Sequence, residues 1–417
     1  MNGITTSEQC KQEVRNVSRL DKIGKHIVLG LLKRIQYGQI ILHDGDIVEQ
    51  YGNDDSLRVK LTIHSQRAYR KVLLCGSIGA GEAYIDKLWD VDDLTKLIRI
   101  MVLNLRLVDK MEQGFALIMR PVYLIGHMLN RNSRRGARRN ILAHYDLGND
   151  MYKSFLDPTM MYSSAIYPGE KSGLEEASRY KLQLICEKLD LQPTDQVVEI
   201  GSGWGGFAIF AAKNYGCHIT TTTISDAQYE EARARVNRER LEDKITLLKS
   251  DYRDLTGRFD KLVSIEMIEA VGHRFLPDFF RKCSNLLKDN GIMLLQAITI
   301  TDQTYKNYVR SVDFIQRHIF PGGCVPSNNH LFELISKKTD MVVRRLDDFG
   351  FDYARTLRDW RKRFNKNFDS LRSSGYDDTF KRLWEFYFCY CEGGFLERSI
   401  SVIHLVASKP GNRRNFQ

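Results

Sequence analysis

The sequence predicts an α/β protein: a doubly wound, mostly parallel sheet preceded by a smaller N-terminal α/β domain. Three observations carry that prediction. From about residue 174 onward, strand and helix patterns alternate, and helical crossovers between strands impose parallel pairing. The first of those strands runs into a glycine-rich turn that opens a helix. The 417 residues also exceed one core at roughly 150 residues per domain.

Taken in order, residues 1–25 are polar and read as frayed or loosely helical. GQIILHDGDIVEQYG reads as two short strands around a turn at Asp44-Gly45, and SLRVKLTIHS alternates as a half-buried strand does. LTKLIRIMVLNL repeats apolar residues at helical spacing. This gives an N-terminal domain over 1–105. A connector over 106–140 follows, with the apolar run 115–129 and then Arg131, Arg134, Arg135, Arg138 and Arg139. The arginines form either a solvated basic linker or a contact with lipid headgroups, where each basic residue contributes about 1 kcal/mol at an anionic surface. The main domain, 141–417, contains the helix EEASRYKLQLICEKL, then the strand QVVEI and the helix after its glycines. HITTTTIS, DAQYEEARARVNRERL, ITLLKSD, KLVSIEM, RFLPDFFRKCSNLLK and GIMLLQAITI supply the remaining alternation.

Composition excludes several classes. Hydrophobic residues at 43% and charged residues at 27% argue against extensive disorder. No run approaches the roughly 18 apolar residues of a membrane span, because 115–129 is short and broken by Arg120-Pro121. The N-terminus lacks the apolar core of a secretory signal. The eight cysteines contain no C-x-x-C pair, so neither a metal nor a redox framework is expected, and a reducing cytosol fits best. A net charge of +10 favours an anionic partner, either nucleic acid or an anionic membrane surface.

The chemistry begins at VVEIGSGWGG. Glycines 201, 203, 205 and 206 let the backbone approach a ligand at a helix N-terminus. Dinucleotide-binding and methyltransferase folds both use such a turn. Here the second strand ends in Thr222-Thr223, where a dinucleotide site wants an acid for the ribose hydroxyls.

The segment HYDLGNDMYKSFLDPTMMYSSAIY, followed in order by VVEIGSGWGGFA, TTISDAQ, DYRDL, SIEMIEAVG, FIQRHIFPGGCVPS and FGFDYARTLRDWRKRF, resembles the cyclopropane fatty-acid synthase family over residues 140–409. The resemblance implies a seven-stranded, Rossmann-like methyltransferase sheet with a lipid-binding N-terminal domain. It also implies S-adenosylmethionine-dependent methylene addition across a cis double bond of an unsaturated phospholipid acyl chain. A dry channel protects the cation that methyl transfer leaves, and a base then removes a proton so that the ring closes. By motif, the cofactor residues are Tyr162, Ser163, Gly201, Gly203, Thr223, Gln228, Asp251 and Tyr252, with Glu199 orienting the turn.

The family's base resembles a bicarbonate held in a polar cage. Glu269 and Tyr353 match that cage, and Ile298 is its backbone position. Ser164 stands where Cys is usual, Gln296 where His is usual, and Ala270 where a His often follows the Glu. Ser and Gln still donate to an anion. Glu266 and Glu269 lie three apart, as on one helix face, and the resemblance gives the role to Glu269 with Glu266 facing away. Trp360, Phe364, Trp384, Phe386, Tyr387, Phe388 and Tyr390 read mostly as core, a subset lining the acyl channel. Rival expectations are a same-lineage C-methyltransferase making methyl-branched or methylene lipids, and a lipid-binding protein weakened at Ser164 and Gln296. A nucleic-acid methyltransferase lacks its catalytic tetrapeptide here. A peripheral site at the inner face of the cytoplasmic membrane is expected, with a homodimer by analogy.

Overall fold

The computed structural model describes residues 18–105, 136 and 148–415. The apolar run 115–129 and the arginine cluster lie outside the described residues. Two compact units emerge, and neither is continuous in sequence: residues 311–317 and 376–397 belong with the N-terminal unit.

In the first unit, β1 (Gln39–Asp44), β2 (Ile47–Tyr51), β3 (Arg58–Ile63) and β4 (Trp89–Val91) form one sheet in the order β2-β1-β3-β4. β1 and β2 are the antiparallel hairpin that the Asp44-Gly45 turn predicts, and Gly45 adopts the required positive φ of 62°. β1 and β3 run parallel. Helix Arg19–Leu32 starts at a capping box in which Ser18 and Asp21 satisfy each other's backbone N–H. Helix Arg67–Ile85 kinks at Gly76, and helix Leu94–Leu103 is capped by Asp93.

Helix Asp378–Leu396 joins this unit through its own small and aromatic residues. A Cβ on Gly393 would stand 2.7 Å from Ile98, so Gly393 permits close approach to helix Leu94–Leu103. Buried Thr95 donates to Glu392 at 3.0 Å, and Arg382 donates to the Tyr84 and Trp89 carbonyls. Trp384, Phe386, Tyr387 and Phe388 are buried, as their core reading requires.

The second unit holds a seven-stranded sheet ordered β10-β11-β9-β8-β5-β6-β7. Its strands are β5 (Gln196–Ile200), β6 (His218–Thr223), β7 (Ile245–Lys249), β8 (Phe259–Ile265), β9 (Leu287–Ile300), β10 (Val342–Asp348) and β11 (Ile400–Ser408). Neighbours from β7 through β9 pair in parallel, while β11 returns antiparallel beside β9 and β10 closes the edge. The doubly wound, mostly parallel class therefore holds. β8 ends at Ile265, one residue before Glu266 turns out of the strand at a φ of 49°. β9 begins at Leu287, four residues earlier than its apolar pattern.

Strand order reverses at β5, whose neighbours are β6 and β8. Loops at the carboxyl ends diverge there and leave a crevice. Among the described residues no helix is long and apolar enough to cross a membrane.

Candidate active site

Two clusters occupy the carboxyl ends of the parallel strands. The first lies at β5, β6 and β7. Gly201 and Gly203 take φ of 96° and 49°, and the Gly201 and Ser202 N–H groups donate to the Thr222 carbonyl. Beside Gly203 the space a Cβ would take is open, so the turn leaves room for a ligand against its backbone. Buried Glu199 accepts from Thr221 at 2.5 Å, and burial pushes its carboxyl up to about 8. Thr223 donates to the Gln228 side chain at 2.9 Å and accepts from the Ser225 N–H. Asp251 caps the turn Tyr252–Asp254 and holds the Arg253 guanidinium through two contacts of 2.8 and 2.6 Å. The Tyr252 ring packs edge-on to Phe279.

The loop bearing Tyr162, Ser163 and Ser164 connects this cluster to the next. Tyr162 sits among the rings of Tyr152, Phe155, Trp360 and Phe320. Ser163 accepts from Lys181 at 2.6 Å. The loop is fastened to helix Gly350–Ser373: Ala165 N–H donates to Thr356, Tyr167 N–H to Asp352, and Arg355 lies over the Tyr167 ring at 3.8 Å.

The second cluster lies past β8 and β9, and it corrects the carboxylate assignment. Glu266 does not face away. Its Oε1 accepts from the Ser164 N–H at 2.9 Å and from Gln296 Nε2 at 2.7 Å, and its Oε2 accepts from the Tyr353 hydroxyl at 2.9 Å. Glu269 stands beside this group, with Oε1 accepting from the Ile298 N–H at 2.6 Å and Oε2 buried without a hydrogen-bond partner. The two residues do not share a helix face: Glu266 follows a strand end, and Glu269 lies in the short turn Ile268–Ala270. Loss of solvent raises the Glu266 carboxyl. Burial, reinforced by the Glu266 charge, pushes Glu269 up to about 8. Environments that separate two neighbouring carboxyls are a common basis for dividing acid and base duties.

All five residues expected around an anion, Ser164, Glu269, Gln296, Ile298 and Tyr353, are brought together here. Their donors are already engaged: the Ser164 N–H, Gln296 amide and Tyr353 hydroxyl on Glu266, and the Ile298 N–H on Glu269. A bicarbonate in this cage would find spent donors and two carboxyl groups. The residues present do not fit it.

Two groups escaped the sequence. His404 is the Cα partner of Gln296 across the β9–β11 ladder, so an imidazole stands beside the amide that occupies the usual His position. Lys188 faces His404 Nδ1 at 2.8 Å and is itself held by Asp347 at 2.8 Å. An ammonium only donates, so Nδ1 accepts and the imidazole proton lies on Nε2. Nε2 is 3.0 Å from Gln296 Oε1, which turns the amide NH2 toward Glu266. Burial and the Lys188 and Lys181 charges hold His404 well below its usual range, hence neutral. The second missed group, Lys181, is fully buried; burial lowers it to about 8, and the charges of Glu266, Asp157 and Glu199 oppose that fall. Helical periodicity marks Lys181 only as inward-facing, and His404 lies within a mostly apolar strand.

Residues 132–405 match the family model for mycolic acid cyclopropane synthetase. The chain is 36% identical over 341 residues to cyclopropane-fatty-acyl-phospholipid synthase of Escherichia coli (strain K12), covering 82% of this chain and 85% of that protein. It is 34% identical over 369 residues to tuberculostearic acid methyltransferase UfaA1 of Mycobacterium tuberculosis, covering 86% of each. Among solved structures, mycolic acid cyclopropane synthase CmaA1 complexed with SAH and CTAB superposes with a TM-score of 0.61. That structure is 28% identical and covers 65% of this chain and 98% of its own.

Proposed function

We infer the reaction from what is now fixed: the chain belongs to the mycolic acid cyclopropane synthetase family and is an S-adenosylmethionine-dependent methyltransferase. We propose that it adds a methylene group across the cis double bond of an unsaturated phospholipid acyl chain, forming a cyclopropane fatty acid. The observation that supports this most directly is the cage itself, a carboxylate ringed by Ser164, Gln296 and Tyr353 with a second carboxyl beside it. Ring closure has to take a proton from a carbon-bound methyl group, and a positioned carboxylate can receive it.

S-adenosylmethionine, when bound, supplies an electrophilic methyl group. Gly201 and Gly203 would give it backbone access, and Tyr162, Ser163, Thr223, Gln228, Asp251 and Tyr252 would surround it, with Glu199 supporting the turn from beneath. The aromatic wall of Tyr152, Phe155, Tyr162 and Trp360 excludes water and offers ring faces to a cation on the acyl chain. The +10 charge fits a peripheral enzyme on an anionic membrane surface, and a homodimer would grip one membrane patch with two subunits.

A second reading has one specific support: a relative at 34% identity is named a tuberculostearic acid methyltransferase. The same site would then make a methyl-branched or methylene lipid. Vesicles of cis-monounsaturated phospholipid with methyl-deuterated S-adenosylmethionine separate the two. A ring carbon carrying two of the donor's deuterons is the expected product. A branch carrying all three, or an alkene =CD2 carbon carrying two, replaces cyclopropanation with C-methylation, and absence of incorporation despite vesicle binding leaves a lipid-binding protein.

A further inference from the structure

We infer that Glu266 is the catalytic base of ring closure, its carboxylate occupying the anion position inside the cage, so that this enzyme works without bicarbonate. The inference rests on the cyclopropanation reading above. Three donors from three distant segments, the Ser164 N–H, the Gln296 amide and the Tyr353 hydroxyl, converge on this one carboxylate. A carboxylate has about four acceptor sites, so one lone pair stays free to take a proton.

The backbone adds a second, independent observation. Glu266 is held at a φ of 49°, a left-handed conformation that side chains other than glycine rarely adopt. Strain of that kind persists where the surroundings over-determine the residue, and it clusters at functional sites. The Glu266 N–H is fixed to the Gln296 carbonyl at 2.8 Å. Strand end and cage thus aim the side chain together.

His404 and Lys188 act as positioning residues. Asp347 holds Lys188, Lys188 fixes the imidazole tautomer, and His404 directs the Gln296 amide onto the base. Glu269, pushed up to about 8, is the partner that stays protonated at neutral pH, so the pair carries one negative charge. The other charged group facing Glu266 is Lys181 from helix Leu174–Leu189; Glu199, raised to about 8 like Glu269, stays protonated beside that lysine at neutral pH.

The step balances. Methyl transfer leaves a cation on the acyl chain. One C–H bond of the new methyl breaks, its proton passes to the free oxygen site of Glu266, and its electron pair closes the bond to the cationic carbon. Carboxylate and cation become a neutral acid and a neutral cyclopropane, and the proton reaches water when the product leaves.

The experiment compares wild type, Glu266→Gln and Glu266→Gly, each with and without added bicarbonate in CO2-purged buffer, with thermal midpoints as the control for folding. Wild type should turn over at the same rate in both buffers. Glu266→Gln should lose about 10²- to 10⁴-fold in kcat, with bicarbonate giving no recovery. Glu266→Gly suits the φ of that position and vacates the cage, so bicarbonate should restore turnover in a saturable way. Line broadening of 13C-bicarbonate should appear with Glu266→Gly and be absent with wild type, a readout that needs no turnover. Bicarbonate dependence or broadening in wild type, or near-normal kcat in Glu266→Gln, overturns the assignment. If wild type forms no cyclopropane product, the substrate reading fails, and the broadening comparison still decides who occupies the cage.

Discussion

The two ends of the crevice satisfy their polar groups in opposite ways. At β5 to β7 the partners are local or on the neighbouring strand: Thr223 bonds Gln228 five residues on, Asp251 bonds Arg253 two residues on, and Glu199 accepts from Thr221 on β6. At β8 and β9 they are remote. Tyr353 reaches Glu266 across 87 residues, Ser164 across 102, and His404 reaches Gln296 across 108. Local hydrogen bonds preorganise a turn before the fold is complete, whereas remote ones exist only once the sheet has closed. The proposed base sits at the remote end, where its hydrogen bonds are partly buried.

The sharpest way to break that contrast is to remove the buried cation shared by both ends. Lys181→Met should cost about 3–5 kcal/mol, as loss of one buried charged partner does, read as a fall in urea midpoint at unchanged m-value. A cost below about 1 kcal/mol would mean that Lys181 is no counter-charge for Glu266.

Next is the remote relay. His404→Leu releases the Gln296 amide and should lower kcat by about 100-fold, the scale of a small misplacement in a site, with KM for S-adenosylmethionine unchanged. A matching rise in KM would locate His404's effect at the cofactor end instead.

The pH dependence sharpens the comparison further. Glu269 titrates near 4.5 when unfolded and at about 8 in the fold, so between those values the native state binds more protons than the unfolded chain. Its stabilising contribution is complete below about pH 4.5 and is lost as pH rises toward 8. The thermal midpoint should fall across that window, and Glu269→Gln should flatten the fall. An equally steep profile in the variant would assign the dependence to the other raised carboxyls, Glu199 and Glu266.

The smallest effect belongs to the local end. Asp251→Asn keeps an N-cap and loses a partly exposed ion pair, so it should cost about 1 kcal/mol or less and leave wild-type bicarbonate behaviour untouched. A loss as large as that of Lys181→Met would erase the distinction between the two ends.

Much of the fold was legible in advance. The hairpin at Asp44-Gly45, the alternation from residue 174 and the glycine turn after QVVEI all depend on residues close in sequence, and each stands in the structure. The site was legible as a set of names. Ser164, Glu269, Gln296, Ile298 and Tyr353 do converge, yet the carboxylate at their centre is Glu266. A spacing of three suggested a helix face, and nothing in SIEMIEA announced that the chain would leave β8 with a left-handed residue. Helix Asp378–Leu396 shows the same limit: its aromatic pattern marked it as core but did not say that it belongs with the first unit.

The sequence alone determined the first hairpin, the order and type of the elements from residue 174 to 300 and the glycine turn, because periodicity and turn chemistry act over a few residues. Only the tertiary structure decided which carboxylate the donors surround, that His404 stands across a ladder from Gln296, and that Lys181 is buried on Ser163 within the field of Glu266. Those facts depend on strand register and on the desolvation that packing imposes, and both arise between segments far apart in the chain.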